Sequence, residues 1–211
     1  MTEPPAARVE SITVGGHHQR WRELGFTVGN DGLVPMLFTS LRIVDGEPGI
    51  RGWTLSGLDP AIDEIDGLAT SVVEAPPPPV IAQHANGAVE LDHLVVLTGS
   101  LERTCGAIAD ATGAPLKRVR DVGETRQGFH RIGRGGLIVE VVERGEVGDD
   151  PASFWGLVVN VSDLDGAVEL AGPELVGLAK DAVQLGRRIA TVRTEAGLGL
   201  PVAMMSVPGR P

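Results

Sequence analysis

Tyrosine is absent, and all aromatic residues together make up only 3% of the 211-residue chain. The core must therefore be filled by Val, Leu, Ile and Ala, and few rings are available to stack on bases, which argues against a nucleic-acid ligand. Basic runs are missing as well: the formal net charge is −10, and pairs such as Arg187-Arg188 stand alone. Such a surface repels phosphate backbones and anionic membranes. No apolar stretch approaches the roughly 18 residues that a membrane helix requires, and the opening MTEPPAARVES has neither the basic nor the apolar region of a signal peptide. A single cysteine, Cys105, allows no internal disulfide. It agrees with a reducing compartment, so the expected location is cytoplasmic. Cys105 sits among Ala107, Ile108 and Ala109 with no basic neighbour, which reads as a structural thiol rather than a nucleophile. The chain also lacks a G-x-S-x-G elbow, a Cys-x-x-Cys pair and an H-E-x-x-H run, so serine hydrolase, zinc-ribbon and zincin readings lose their main support. One Gly-x-Gly, in EAGLGLP (195–201), has no βαβ context and reads as a turn.

What is present is a duplication. Residues 93–102, HLVVLTGSLE, and 156–165, GLVVNVSDLD, both run from a buried strand through a polar turn to an acid, Glu102 or Asp165, in a first helical turn. After the first copy, SLERTCGAIADAT (100–112) predicts a helix stopped by Gly113, and PLKRVRDV, QGFHRIG and GLIVEVVE predict three strands. From Ala152 the order recurs: FWGLVVNV, a helix opening at Ser162–Asp165 in the manner of a capping box and shortened by Pro173, then LAKDAVQ, RRIATVR and LPVAMMSV. Upstream, VESITVGG (9–16), a short helix and strand within HHQRWRELGFTV (17–28), FTSLRIVDG (38–46) and IRGWTLSGLD (50–59) repeat the plan in worn form. Residues 1–75 thus read as a truncated related copy that stops before the last strands. Ala75-Pro76-Pro77-Pro78-Pro79 opens a proline-rich linker over 76–88, and residues 89–211 form the main domain, with units 89–145 and 152–207. The expected fold class is α+β, with paired βαβββ units forming a curled sheet around a cleft.

Two βαβββ units in tandem, opened by DHLVV, with LIVEVVE as the fourth strand and a V-x-DLD turn opening the second unit, resemble the vicinal oxygen chelate superfamily in its glyoxalase-like, bleomycin-resistance-like branch. The resemblance covers residues 89–207 well and 8–75 weakly. It implies a half-barrel cleft that binds a small oxygenated molecule, and metal ligands on the first and fourth strands of each unit. His93 and Glu140 fall on the two ligand positions of the first unit. In the second unit the equivalents are Gly156 and Ala203, and in the worn copy Ser11 and Arg42, so the implied divalent ion (zinc, manganese, nickel or iron) has an incomplete site. A third ligand would come from His130, Glu195 or a second subunit of a homodimer. Without a metal, His93 and Glu140 can instead pair, orient the imidazole and act as general acid and base.

Around that pair, His130, Arg131, Arg188, Arg193 and Trp155 are the candidates for substrate binding. Arg188 and Arg193 fall on opposite faces of their strand by alternation, so one of them would face the cleft and suit a carboxylate or enolate, while Arg187 is placed at an exposed edge. Trp53 and Trp155 precede the two matched turns, and Trp155 could line the cleft mouth or pack between units. His17 and His18, adjacent on a helix, point about 100° apart and read as a solvent-facing helix start rather than a chelating pair. Two functions follow from the resemblance. One is an enzyme of the lyase, isomerase or dioxygenase kind. The other is a metal-free protein that sequesters a small molecule, as resistance proteins do.

Overall fold

A computed structural model describes residues 6–74, 82–133 and 135–209. The four prolines at 76–79 lie outside the described residues. The first sheet contains β1 (Arg8–Gly15), β2 (Leu33–Val34), β3 (Ser40–Val44), β4 (Gly49–Ser56), β5 (Glu64–Ile65) and β6 (Leu68–Val73), with the short helix α1 (His18–Glu23). The second contains β7 (Ala88–Thr98), β8 (Arg118–Val122), β9 (Thr125–Ile132), β10 (Leu137–Glu143), β11 (Ser153–Val161), β12 (Lys180–Asp181), β13 (Arg188–Thr191) and β14 (Val202–Ser206), with helices α2 (Leu101–Thr112) and α3 (Leu164–Ala171).

The local signals act where the sequence puts them. Ser100 caps α2 by accepting from the Arg103 amide, and Gly113 ends it in the left-handed conformation at φ 68°. The helix buries Leu101, Thr104, Cys105, Ile108 and Thr112 against the sheet. Burial pushes the Cys105 thiol up to about 11, so it stays protonated and inert at neutral pH. α3, by contrast, is capped one residue later than the capping-box reading places it, by Asp163, which accepts from the Gly166 amide, and not by Ser162.

Strand order shows how completely the plan is repeated. The second sheet runs β12-β13-β14-β11-β7-β10-β9-β8, and the first runs β5-β6-β4-β1-β3-β2. In each, two central antiparallel strands, β7 with β11 and β1 with β4, are flanked by parallel partners, β10 and β14 or β3 and β6. The sequence matches of β1 to β7 and β3 to β10 are thereby realised in space, and β4 does correspond to β11 but two residues out of step with the match of 50–59 to 156–165, since Gly52 rather than Ile50 stands where Gly156 does. One further correspondence is invisible to pattern reading. β7 carries an extra residue at Asp92, between Leu91 paired with Val159 and His93 paired with Val158. β1 carries one at Glu10, between Val9 paired with Leu55 and Ser11 paired with Thr54. The two bulges sit at equivalent places.

Three expectations are corrected. The N-terminal copy does not stop before its last strands, because β6 pairs parallel with β4 just as β14 pairs with β11. What it lacks is the second helix: residues 57–63 are too short a connection for a helix and a return, and Asp59 closes a turn there by accepting from the Ala61 amide. No strand forms at 26–28. The Thr27 amide donates to His84 Nδ1 and its hydroxyl to the Gln83 carbonyl, so this segment is fastened to the chain entering β7 rather than to a neighbouring strand. Finally, of LAKDAVQ only Lys180–Asp181 pairs as a strand.

One apolar core runs through both sheets. Trp53 is buried edge-on against Phe154 where β4 meets β11, which settles its role as packing between the units. Asp66 adds a polar clasp, accepting from Arg103 and Thr104 at the start of α2.

A second polar seam crosses the large sheet. Asp92 Oδ1 accepts from Asn160 on β11 at 2.8 Å and from Arg187 Nη1, just before β13, at 2.9 Å. Arg187 also donates to the Ser206 carbonyl of β14, to Gln184 and to the Asn160 carbonyl oxygen. It is 8% exposed, so its expected place at an exposed edge is wrong: the bulged Asp92 carboxylate gives the guanidinium a buried counter-charge. Burial alone would raise the Asp92 carboxyl, but His93, Arg187 and Asn160 outweigh it and hold the group at about 2.

A depressed carboxylate stabilises the fold above its unfolded value of 3.8 and loses that contribution as pH falls through about 2. The shift corresponds to about 2 kcal/mol at neutral pH. Urea unfolding at pH 7 should therefore show Asp92→Asn destabilised by at least about that amount, because Arg187 also loses its partner. The gap to wild type should narrow as the pH is lowered from 4 toward 2. An equal gap at all pH values would show that Asp92 is not ionised in the folded protein.

Candidate acid-base cleft

The two faces of the large sheet are distinguished by what they touch. A Cβ built at Gly128 would lie 2.8 Å from Cys105 Sγ, so that side of β9 meets α2. His130 and Ile132 share it by alternation. The opposite face lines an open trough. One cavity of about 840 Å3 is bounded by His93, Arg118, Arg120, Phe129, Glu140 and Lys180 among others. A second, of about 360 Å3, adjoins it along Glu140, Val158 and Ile189 and extends over Val95, Leu97, Val142 and Trp155.

At the trough floor, the bulge brings Asp92 and His93 side by side. His93 Nδ1 lies 2.6 Å from Asp92 Oδ2, and both side chains are about one-tenth exposed. The contact lacks hydrogen-bond geometry, and neither atom has another hydrogen-bond partner among the described residues. A nitrogen lone pair so near a carboxylate would be repelled. Nδ1 therefore carries a proton, and Nε2 is the position open to a ligand. Glu140 lines the same cavity from β10, beside the register pair Ile138–His93. Its carboxyl is pushed up by burial, and the charges of His93 and Arg120 only partly reverse the effect. Two carboxylates a few residues from one imidazole are thus driven apart: Asp92 is held ionised and Glu140 is biased toward its acid.

The other candidates divide by face. Arg131 lines the large cavity, and Trp155, 41% exposed, lines the smaller one with the Arg144 guanidinium 6.0 Å from its ring centre. His130 also borders the large cavity, but its side chain is buried. Its ring lies on the helix side, with Nδ1 at 2.9 Å from the Ala114 carbonyl oxygen, and burial lowers its pKa. Arg188 and Arg193 also miss the cleft. Arg188 grips Asp165 at the start of α3, and Arg193 Nε donates to the Pro173 carbonyl beyond its end. Ile189 and Thr191, both between them, take the concave positions. Of the adjacent histidines, His18 contacts the Ile43 carbonyl oxygen, leaving His17 exposed.

The residues present do not fit a resident divalent ion. Among the described residues, no group of three or more His, Cys, Asp or Glu side chains is placed to hold one. Glu195 is exposed in a 3-10 turn, and His130 faces the helix. Nor is the vacancy at Gly156 an accident of composition. A Cβ there would come 2.7 Å from the Pro201 carbonyl oxygen, and one at its counterpart Gly52 would come 2.8 Å from the Ala69 carbonyl oxygen. In both sheets the neighbouring strand occupies the space that a ligand side chain would need.

Asp92, Arg187 and Arg120 are the site residues that pattern reading misses. Asp92 adjoins His93, but alternation assigns it to the other face, and only the bulge reverses that. Arg120 is the one whose signal was available, since strand alternation from Arg118 repeats a cation on one face of β8.

No protein-family model matches the chain, and no curated protein does. Among solved structures, a triple mutant of 4-hydroxymandelate synthase from Streptomyces coelicolor matches at a TM-score of 0.69 with 15% identity, covering 98% of this chain and 94% of that one. Methylmalonyl-CoA epimerase from Mycobacterium tuberculosis matches at a TM-score of 0.48 with 14% identity, covering 58% of this chain and 91% of that one. The first match takes in both sheets, and with the paired strand order it shows that the chain has the vicinal oxygen chelate fold.

Proposed function

We propose that the trough binds a small oxygenated molecule and that His93 and Glu140 move a proton to or from it without a metal. The observation that carries this reading is the bulged Asp92–His93 contact, buried on the floor of the trough and facing a carboxyl raised by burial. Asp92, anchored by Arg187, holds the imidazole from its Nδ1 side, so that His93 Nε2 is free to give or take a proton. Glu140, once deprotonated, is a stronger base than an ordinary carboxylate. Facing groups of this kind suit removal of a proton from a carbon beside a carbonyl: Glu140 takes the proton, the C–H electron pair moves into an enolate, and His93 hydrogen-bonds or protonates the enolate oxygen. Lyase and isomerase chemistry both begin with that step. The pair is complete within one chain, so a homodimer is not needed to supply it. We also propose that residues 8–73 and 88–206 act as a scaffold half and a chemical half. The scaffold half places Ser11 and Arg42 where the chemical half places His93 and Glu140.

A direct test is uptake of deuterium from solvent into a panel of 2-oxo acids and acyl thioesters, followed by NMR. Wild type should exchange at least one of them, with His93→Ala and Glu140→Gln each slower by about 100-fold or more. The acidic limb of the exchange rate should lie above the ordinary carboxylate range, since Glu140 must lose its proton and its pKa is raised. If nothing exchanges while members of the panel still quench Trp155 fluorescence, the sequestering function is the right one.

Metal dependence gives a separate prediction. Zinc, manganese and nickel should bind wild type and His93→Ala equally weakly and be lost on dialysis, because two protein ligands fall short of the three that catalytic sites use. Stoichiometric retention by wild type alone would overturn the metal-free mechanism.

A further inference from the structure

The cations of this chain are distributed unevenly between the two faces of the large sheet. On the helix side most are neutralised: Arg126 pairs with Glu102 and Glu143, Arg188 with Asp165, and Arg103 with Asp66, while Arg193 donates to a backbone carbonyl. On the concave side Lys117, Arg118, Arg120, Arg131 and Lys180 all line the large cavity, and none has a carboxylate ion-pair partner among the described residues. In a chain of net charge −10, acidic partners are plentiful, so five unneutralised cations around one trough are a feature of that trough.

Register fixes where they stand. Arg118 lies opposite Phe129 and Arg120 opposite Gln127 across the β8–β9 pair, and Arg131 follows two residues after Phe129, so these three arginines form one wall. Arg120 is held in place by Gln127 Oε1 and lies 5.6 Å from the centre of the Phe129 ring. Lys180 lies opposite Ile189 across the β12–β13 pair and forms the other wall. Asp181 also lines the cavity, beside Lys180, but makes no ion pair with any of the five cations; it lies opposite Arg188, whose side chain turns to α3. Between the walls are His93 and Glu140. Beyond Glu140 the trough turns apolar along Val95, Leu97, Val142 and Trp155. At its lip Val183 and Leu185 are 83% and 102% exposed, an apolar edge with nothing on it.

We infer that the molecule taken by this trough is an amphiphilic anion, with a carboxylate, phosphate or sulfonate group between the arginine wall and Lys180 and an apolar body reaching toward Trp155. Arginine forks on one side suit planar or tetrahedral oxyanions, and a lysine opposite completes the charge. An anchor there holds the middle of the molecule over Glu140. This rests on the trough being the binding site, as proposed above.

The test uses two fluorescent probes of the same aromatic shape: 8-anilinonaphthalene-1-sulfonate, which is anionic, and N-phenyl-1-naphthylamine, which is neutral. Trp21 and Trp53 are buried, so Trp155 is the exposed tryptophan reporter, and the difference between wild type and Trp155→Phe isolates its signal. The anionic probe should quench Trp155 at one site per chain and bind about tenfold or more tightly than the neutral one. Added salt should weaken it. Arg120→Gln and Lys180→Gln should each weaken the anionic probe about three- to tenfold and leave the neutral probe unchanged. Leu185→Ser should weaken both. Equal binding of the two probes, with no effect of the glutamine variants, would remove the anion and leave the trough. Failure of both probes to quench Trp155 would remove the trough itself as the binding site.

Discussion

In a regular strand, neighbouring side chains leave on opposite faces, so Asp92 and His93 would be separated by the thickness of the sheet. The extra residue in β7 cancels that separation and places a carboxylate against an imidazole on the concave floor. Once there, the carboxylate needs a cation, because it is largely cut off from water. Arg187 supplies it from the far side of β14, and through its bonds to Ser206 and Asn160 fixes the spacing of β7, β11 and β14. The same charges that secure these strands also orient His93. On the proposed function, stability and chemistry share one set of atoms.

The first sheet shows the device without the chemistry. Its bulge at Glu10 is satisfied by the Ser56 hydroxyl, as Asp92 is satisfied by Asn160, but Ser11 stands in place of His93 and, among the described residues, no arginine pairs with Glu10. The bulge is therefore a property of the shared fold, and the imidazole and guanidinium are what the second sheet adds to it.

Much of this was legible in the chain. The strands around LVV and LIVEVVE, the helix opening at Ser100 and the duplication itself follow from periodicity and capping chemistry, whereas His93 and Glu140 come from the resemblance to the vicinal oxygen chelate superfamily. What was not legible depended on contacts distant in sequence. Arg187 looked like an edge residue because its partner is far away in β7. Arg188 and Arg193 looked equally able to enter the cleft until α3 and its following loop claimed them. His130 had the correct residue type but the wrong parity, which only the packing of Gly128 on Cys105 decides. The loss of a helix after β4 was concealed by the likeness of SGLD to SDLD, since four matched residues say nothing about how few follow before the next strand.

The glycine pair in the two central strands limits what this scaffold can become. At Gly52 and Gly156 the backbone of the adjoining parallel strand sits where a first side-chain atom would be, with carbonyl oxygens in the way. Replacing Gly156 by histidine and Ala203 by glutamate would therefore not complete a four-ligand centre, since the segment at Pro201 would first have to retreat. A path from this chain to a symmetrical metalloenzyme passes through a backbone rearrangement that no single base change provides. Variation remains open on the other half of the trough, where the walls are built from exposed side chains at strand edges, and there substrate preference can drift one residue at a time.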